Sequence, residues 1–203
     1  LGWNPGTERE IFSLPFLIKE FSLERVQKGG AIFQTSRLNW INAFFIRKMP
    51  LQKLSELCIP YLKEARLVTD DISPAVLEPM VRLYQERIKK LSEAPQLIDF
   101  FFKKPEYSGD QLVWKDVSKK DISKALQELG TVLQSVKEKD WNKEHLETII
   151  MPHAEKQGSR GVWLWPMRVA LTGKEASAGP FDVAAVLGKK ETLERLTIAK
   201  EKL

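Results

Sequence analysis

Apolar residues recur along this chain at helical rather than strand spacing. The clearest case covers 121–137. There Ile122, Ala125, Leu126, Leu129, Val132, Leu133 and Val136 follow the 3, 4, 3, 4 rhythm of one buried stripe. Ser118 and Asp121 are both suitable N-caps for it, and Gly130 inside it costs about 1 kcal/mol against Ala. The same reading predicts helices over 13–20, 36–47, 51–65, 74–91, 142–157, 181–187 and 189–202. Ser13 and Ser73 stand as caps ahead of Pro15 and Pro74, and proline is tolerated in a first turn because its missing N–H has no partner there. In 36–47, Leu38, Ile41, Phe44 and Phe45 are expected to form the inward side. Strict alternation is scarce and β-branched residues do not cluster between turns, so the fold class read from the pattern is all-α.

The breaks organise the helices. Lys28-Gly29-Gly30 is a turn, 157–161 is a glycine-flanked loop, and 103–109, polar with Pro105 and Gly109, is the best linker. The chain therefore reads as a small N-terminal helical piece, 1–48, and two helical subdomains, 49–106 and 107–203. No repeat of 20–50 residues and no low-complexity tract is visible.

Composition narrows the chemistry. The 203 residues are 43% hydrophobic and 29% charged, ordinary for a globular chain. Net charge is +5, compatible with a polyanionic partner, although the basic residues are spread along the chain. The single cysteine, Cys58, rules out an intrachain disulfide and a thiolate metal cluster. With two histidines, His145 and His153, a His-rich metal site is also ruled out. Cys58, between Leu57 and Ile59, reads as a core thiol. No stretch approaches the ~18 apolar residues of a membrane span. There is no phosphate loop at Gly173-Lys174-Glu175, and no nucleophile elbow. Asp70-Asp71 read as residues leading into a helix rather than an acid/base pair. Gly158-Ser159-Arg160-Gly161 matches a Gly-x-x-Gly tetrad, but the strands of that RNA-binding fold are missing. The chain begins at Leu1 and runs directly into turn chemistry, so it is expected to be a piece of a longer polypeptide and not a self-sufficient enzyme.

Three stretches carry a resemblance. They are Leu1-Gly2-Trp3-Asn4-Pro5-Gly6 with the residues to Leu14; Leu38-Asn39-Trp40-Ile41-Asn42 through Arg47; and Trp165-Pro166-Met167-Arg168-Val169-Ala170-Leu171-Thr172-Gly173-Lys174-Glu175-Ala176-Ser177, continuing through Leu187-Gly188-Lys189-Lys190 to Leu196. In order and spacing the chain resembles the C-terminal part of bacterial-type glutamyl-tRNA synthetase. The resemblance implies a small helical stem-contact region followed by a superhelical anticodon-binding domain in two subdomains. It implies a cytoplasmic, monomeric class I parent whose catalytic domain, absent here, uses ATP with Mg to attach glutamate to tRNA-Glu. The fragment itself would hold no cofactor and be inactive alone, with neither membrane nor DNA as partner. The other reading is a stand-alone helical RNA-binding or adaptor module; a helical protein–protein scaffold is a third.

The resemblance also assigns residues. The family's anticodon reader carries a key arginine in a helix before a Pro-containing turn, which falls on Arg87 in Glu86-Arg87-Ile88-Lys89-Lys90-Leu91-Ser92-Glu93-Ala94-Pro95. A second falls on Arg168. The loop with Ser177, Ala178 and Pro180 matches the part that touches the other anticodon bases; the common form there is Ser-Pro-Gly, from which Ala178 departs. The chemistry behind Arg87 is specific. Glutamate anticodons end in cytosine, whose N3 and O2 are adjacent acceptors, and a guanidinium is a planar fork of donors with no acceptor. Glutamine anticodons end in guanine, whose N1–H and N2–H would face those donors unpaired. Each arginine has a plainer alternative: Arg87 on a solvated helix face, Arg168 in a core ion pair. Arg37, Arg47, Lys48, Lys89, Lys90 and Lys119 are candidates for phosphate contacts, which position RNA without reading it. Trp3, Trp40, Trp163 and Trp165 read as core rather than as stacking platforms.

Overall fold

The computed structural model describes residues 2–30, 32–156 and 160–203. Among the described residues there are ten α-helices: α1 (Leu14–Glu20), α2 (Thr35–Lys48), α3 (Leu51–Glu64), α4 (Pro74–Arg82), α5 (Ala94–Ile98), α6 (Lys119–Ser135), α7 (Lys143–Lys156), α8 (Arg160–Thr172), α9 (Pro180–Leu187) and α10 (Lys189–Glu201). The only extended pairing among them is an isolated antiparallel bridge, Trp3 to Val26. The all-α reading holds. Among the described residues no helix is long and apolar enough to cross a membrane, and no three metal-ligating side chains gather.

The stripe read over 121–137 becomes α6, whose Ile122, Ala125, Leu126, Leu129 and Leu133 are all buried. Ser118 is its cap. The hydroxyl accepts from Asp121 N at 3.2 Å and donates to the Asp121 carboxylate at 2.6 Å, placing Asp121 inside the first turn. α6, α8 and α10 pack on one another, with α7 and α9 closing the group; α3 packs on α4 and α5. One continuous apolar core runs from Ile46 to Ala199 through both groups. Cys58 lies within it, fully buried, and burial pushes its thiol up to about 11.

The 103–109 segment is irregular, as its composition predicts, but it is pinned rather than loose. Lys104 pairs with Glu194, and Lys202 Nζ donates to Tyr107 O at 3.2 Å. Gly109 lies so close to Lys202 that a Cβ there would strike its backbone carbonyl. At Arg160 and Gly161 the expected loop is already the first turn of α8, where a Cβ on Gly161 would strike the Trp114 indole. Gly158 and Ser159 of the tetrad lie outside the described residues.

Other expectations fail. The helix over 74–91 stops at Arg82. Beyond it the chain tightens into turns, with Tyr84 N donating to Val81 O and both Arg87 N and Ile88 N donating to Tyr84 O. Tertiary hydrogen bonds outweigh the helical pattern here. The Gln85 side-chain amide donates to Ile46 O at 3.0 Å and Met49 O at 2.8 Å, capping the end of α2, and Asn42 Nδ2 donates to Lys89 O at 2.7 Å. The inward side of α2 also differs, since only Ala43 and Ile46 are buried there. Leu38, Trp40 and Phe45 are about half exposed, so Trp40 is not a core residue. Within the N-terminal piece, Trp3 makes a small aromatic cluster with Phe12 and Phe21 at 6.0 and 5.7 Å between centroids. Leu14, Ile18, Leu23, Ile32 and Phe33 stay largely exposed.

If the α6 stripe carries the core as described, Leu129→Ala should destabilise the chain by about 2–5 kcal/mol, the usual range for a fully buried leucine. Guanidinium unfolding followed by circular dichroism measures it, and a loss below about 1 kcal/mol contradicts the placement.

Candidate nucleic-acid interface

α8 ends where its own carbonyls find local partners. Thr172 Oγ1 donates back to Arg168 O at 2.8 Å and accepts from Lys174 N at 3.1 Å. Gly173, at φ +67°, donates to Val169 O at 2.7 Å and reverses the chain, the ordinary role of glycine past a helix end. The reversal brings 177–178 back against the last turns of α8. There Arg168 Nη1 donates to Ser177 O at 2.9 Å, Ser177 Oγ at 3.0 Å and Ala178 O at 3.0 Å.

The turn after α4 reaches the same loop from the other group of helices. Arg87 Nη1 donates to Ser177 O at 2.7 Å. Tyr84, three residues earlier and buried against Phe100, accepts from Ala178 N at 3.1 Å through its hydroxyl. The Arg87 guanidinium carbon lies 5.9 Å from the Tyr84 ring centroid. A further tie lies beside these, as Lys174 Nζ bonds Asp99 Oδ1 at 2.6 Å and also Gln96 O. Two guanidinia from different parts of the chain thus converge on one carbonyl oxygen.

Among the described residues, neither Arg87 nor Arg168 has a carboxylate within ion-pair distance. Arg168 therefore does not sit in the core ion pair that its apolar neighbours allow for. Its pKa is held below the usual arginine value, first by burial and then by the charge of Arg87. Burial also raises the Tyr84 phenol, an effect opposed by Ala178 N–H and the two arginines, so it is protonated at neutral pH. Arg87 is an exposed residue whose Nη1 alone is hydrogen-bonded among the described residues, so its fork keeps donors for an outside acceptor. It lies in a turn, not in a helix, contrary to its reading from sequence. Ser177, Ala178 and Pro180 are buried. Ser177 and Ala178 supply the acceptors that form the floor under the arginines, and none of the three is exposed.

The basic residues divide. Asn42 and Gln85 hold the 85–90 turn to the second half of α2, which brings Arg47, Arg87, Lys89 and Lys90 to one region. Arg47 faces Glu86 at 3.9 Å, Lys90 faces Glu93 at 4.0 Å, and Lys48 lies over the Phe44 ring at 4.2 Å. Arg37 lies at the other end of α2, roughly 15 Å of helix away, and is paired with Glu10 at 2.5 Å. Lys119, at the start of α6, is paired with Asp110 at 2.6 Å. Sequence reasoning gave Tyr84, Gln85, Asn42 and Lys174 no role. Tyr84 escapes such reasoning because nothing local marks a hydroxyl whose partner is 94 residues away.

Comparison with known proteins adds two kinds of finding. The family described as the anticodon binding domain matches residues 53–200. The whole chain is 34% identical to a glutamate–tRNA ligase of Clostridium kluyveri and 39% identical to one of Clostridium tetani, spanning 41% of the length of each. In shape it is similar to a glutamate–tRNA ligase structure from Elizabethkingia meningosepticum, with TM-score 0.84 and 27% identity, covering 100% of this chain and 39% of that one. A glutamate–tRNA synthetase structure from Elizabethkingia anophelis matches with TM-score 0.79 and 28% identity, covering 99% of this chain and 38% of that one.

The reversal at Gly173 fixes where the Ser177 loop lands. A Cβ there would sit 2.8 Å from Pro105 Cβ on top of its positive φ, so Gly173→Ala should cost about 1–3 kcal/mol. Gly130→Ala, in open space inside α6, should instead gain roughly 0.5–1 kcal/mol. Urea unfolding of the two variants side by side measures this, and equal effects contradict the described turn.

Proposed function

Since this chain belongs to the anticodon binding domain family, we propose that it is the tRNA-recognising portion of a glutamate–tRNA ligase and that Arg87 reads the last letter of the glutamate anticodon. One observation carries the reading: two guanidinia converge at Ser177 and, among the described residues, no carboxylate lies within ion-pair distance of either. Two like charges held that close are suited to a ligand rich in lone pairs. An unstacked cytosine edge is one, since it offers N3 and O2 side by side to the free donors of Arg87. A guanine in its place would meet donor with donor. Arg168, bonded to the loop floor, takes part at another anticodon base. Arg47, Lys48, Lys89 and Lys90 flank Arg87 and would hold phosphates, a contribution that weakens steeply with salt.

In this reading 1–48 is the stem-contact region, and 49–106 and 107–203 are the two anticodon-binding subdomains. The chain spans about two fifths of its ligase relatives. The rest of such a polypeptide would bind ATP with magnesium and glutamate, in a cytoplasmic monomer. The apolar side chains left exposed on 1–48, among them Ile32 and Phe33, support packing of that region against the rest.

The test is Arg87→Gln, read as the ratio of dissociation constants for a glutamate tRNA transcript and one whose last anticodon letter is changed from cytosine to guanine. A good guanidinium–base pair discriminates by roughly 1–3 kcal/mol, so the ratio should fall about 5- to 150-fold. An unchanged ratio removes Arg87 from decoding.

A further inference from the structure

One peptide group joins the two halves of the site. Its carbonyl, Ser177 O, accepts from Arg87 and Arg168, and its N–H, Ala178 N, donates to the Tyr84 hydroxyl. In a trans peptide the C=O and N–H lie in one plane and point in opposite directions. The arginines and the phenol therefore hold that plane from both edges, and rotation of the peptide would break all three bonds together. The ties also close a ring, because Arg87 N donates to Tyr84 O at 2.8 Å at the base of the same turn.

The arginines alone do not fix this plane. Both are cations competing for one oxygen, and Arg168 has two other acceptors close by, Ser177 Oγ and Ala178 O. Arg87 has only Ser177 O among the described residues. Its fork is aimed by where that oxygen stands. Arg87 is otherwise exposed, so a carbonyl that turned away would leave its long side chain free to sample other rotamers.

We propose that Tyr84 is a positioning residue for anticodon reading: by accepting the Ala178 N–H it locks the 177–178 peptide so that the shared carbonyl aims Arg87 at its base. The proposal rests on the reading of Arg87 given above. The phenol meets the RNA at no point; it acts through the peptide plane. It also couples the two arginines, since whatever loosens the plane from the Arg168 side must disturb Arg87 as well.

The test is a four-cornered comparison of wild type, Tyr84→Phe, Arg87→Gln and the double variant. Each is read as the cytosine-to-guanine dissociation-constant ratio at the last anticodon letter. Tyr84→Phe keeps the buried ring and removes only the hydroxyl. The ratio should fall about three- to tenfold in the presence of Arg87 and change less than twofold in its absence, a dependence that a general loss of structure would not produce. Thermal melting followed by circular dichroism checks folding. Should Tyr84→Phe not fold, Arg168→Lys, which replaces a fork by a single ammonium on the same carbonyl, is read in the same four corners with the same expectation. If Arg87→Gln lowers the ratio but neither partner variant does, or if their effect is equal with and without Arg87, the positioning role is wrong while decoding by Arg87 stands. If Arg87→Gln itself leaves the ratio unchanged, decoding by Arg87 and the role of Tyr84 fall together.

Discussion

The amide linking Ser177 to Ala178 is the constraint on which the rest of the site depends. Buried backbone polar groups must be paired, and this one is paired entirely by side chains: Arg87 and Arg168 on its oxygen, Tyr84 on its nitrogen. Two of those three come from the turn after α4, and one from α8. The contact is therefore both a seam between the two groups of helices and the floor of the basic surface above it. Without the loop's carbonyls, two guanidinia would be held close with nothing between them but repulsion.

Everything near the seam serves to bring that loop into register. Gly173 turns the chain out of α8 against Pro105, Lys174 ties the loop to Asp99 and the Gln96 carbonyl, and Gly161 lets α8 begin flush against Trp114. On the opposite side, Gln85 and Asn42 fasten the Arg87 turn to α2. Arg87 is thus a surface residue in a well-anchored backbone. A guanidinium that must distinguish one base edge from another needs such anchoring, because its selectivity is geometric, whereas phosphate contacts by Lys89 or Lys90 tolerate movement.

How much of this was legible in the sequence depended on how local the cause was. The stripe of α6, the Ser118 and Ser13 caps, and the boundaries of α2, α3 and α10 follow from spacing and cap chemistry within a few residues. The end of α4 did not, because the bonds that stop it come from Gln85 reaching carbonyls at 46 and 49. The same reason placed Arg87 wrongly in a helix. Trp40 reads as core from its spacing, yet it is about half exposed, as are Leu38 and Phe45 of the same helix. Arg87 and Arg168 were legible only through the family's motif; their meeting at one oxygen, 90 and 9 residues away respectively, has no signature along the chain.

The most direct measurement is a crystal structure of this chain bound to the anticodon stem-loop of a glutamate tRNA. The account predicts the last anticodon base unstacked, with its N3 and O2 within hydrogen-bond reach of the Arg87 guanidinium and the 177–178 peptide in its present orientation. A complex in which that base contacts some other side chain, while Arg87 bonds only the Ser177 carbonyl, would contradict it.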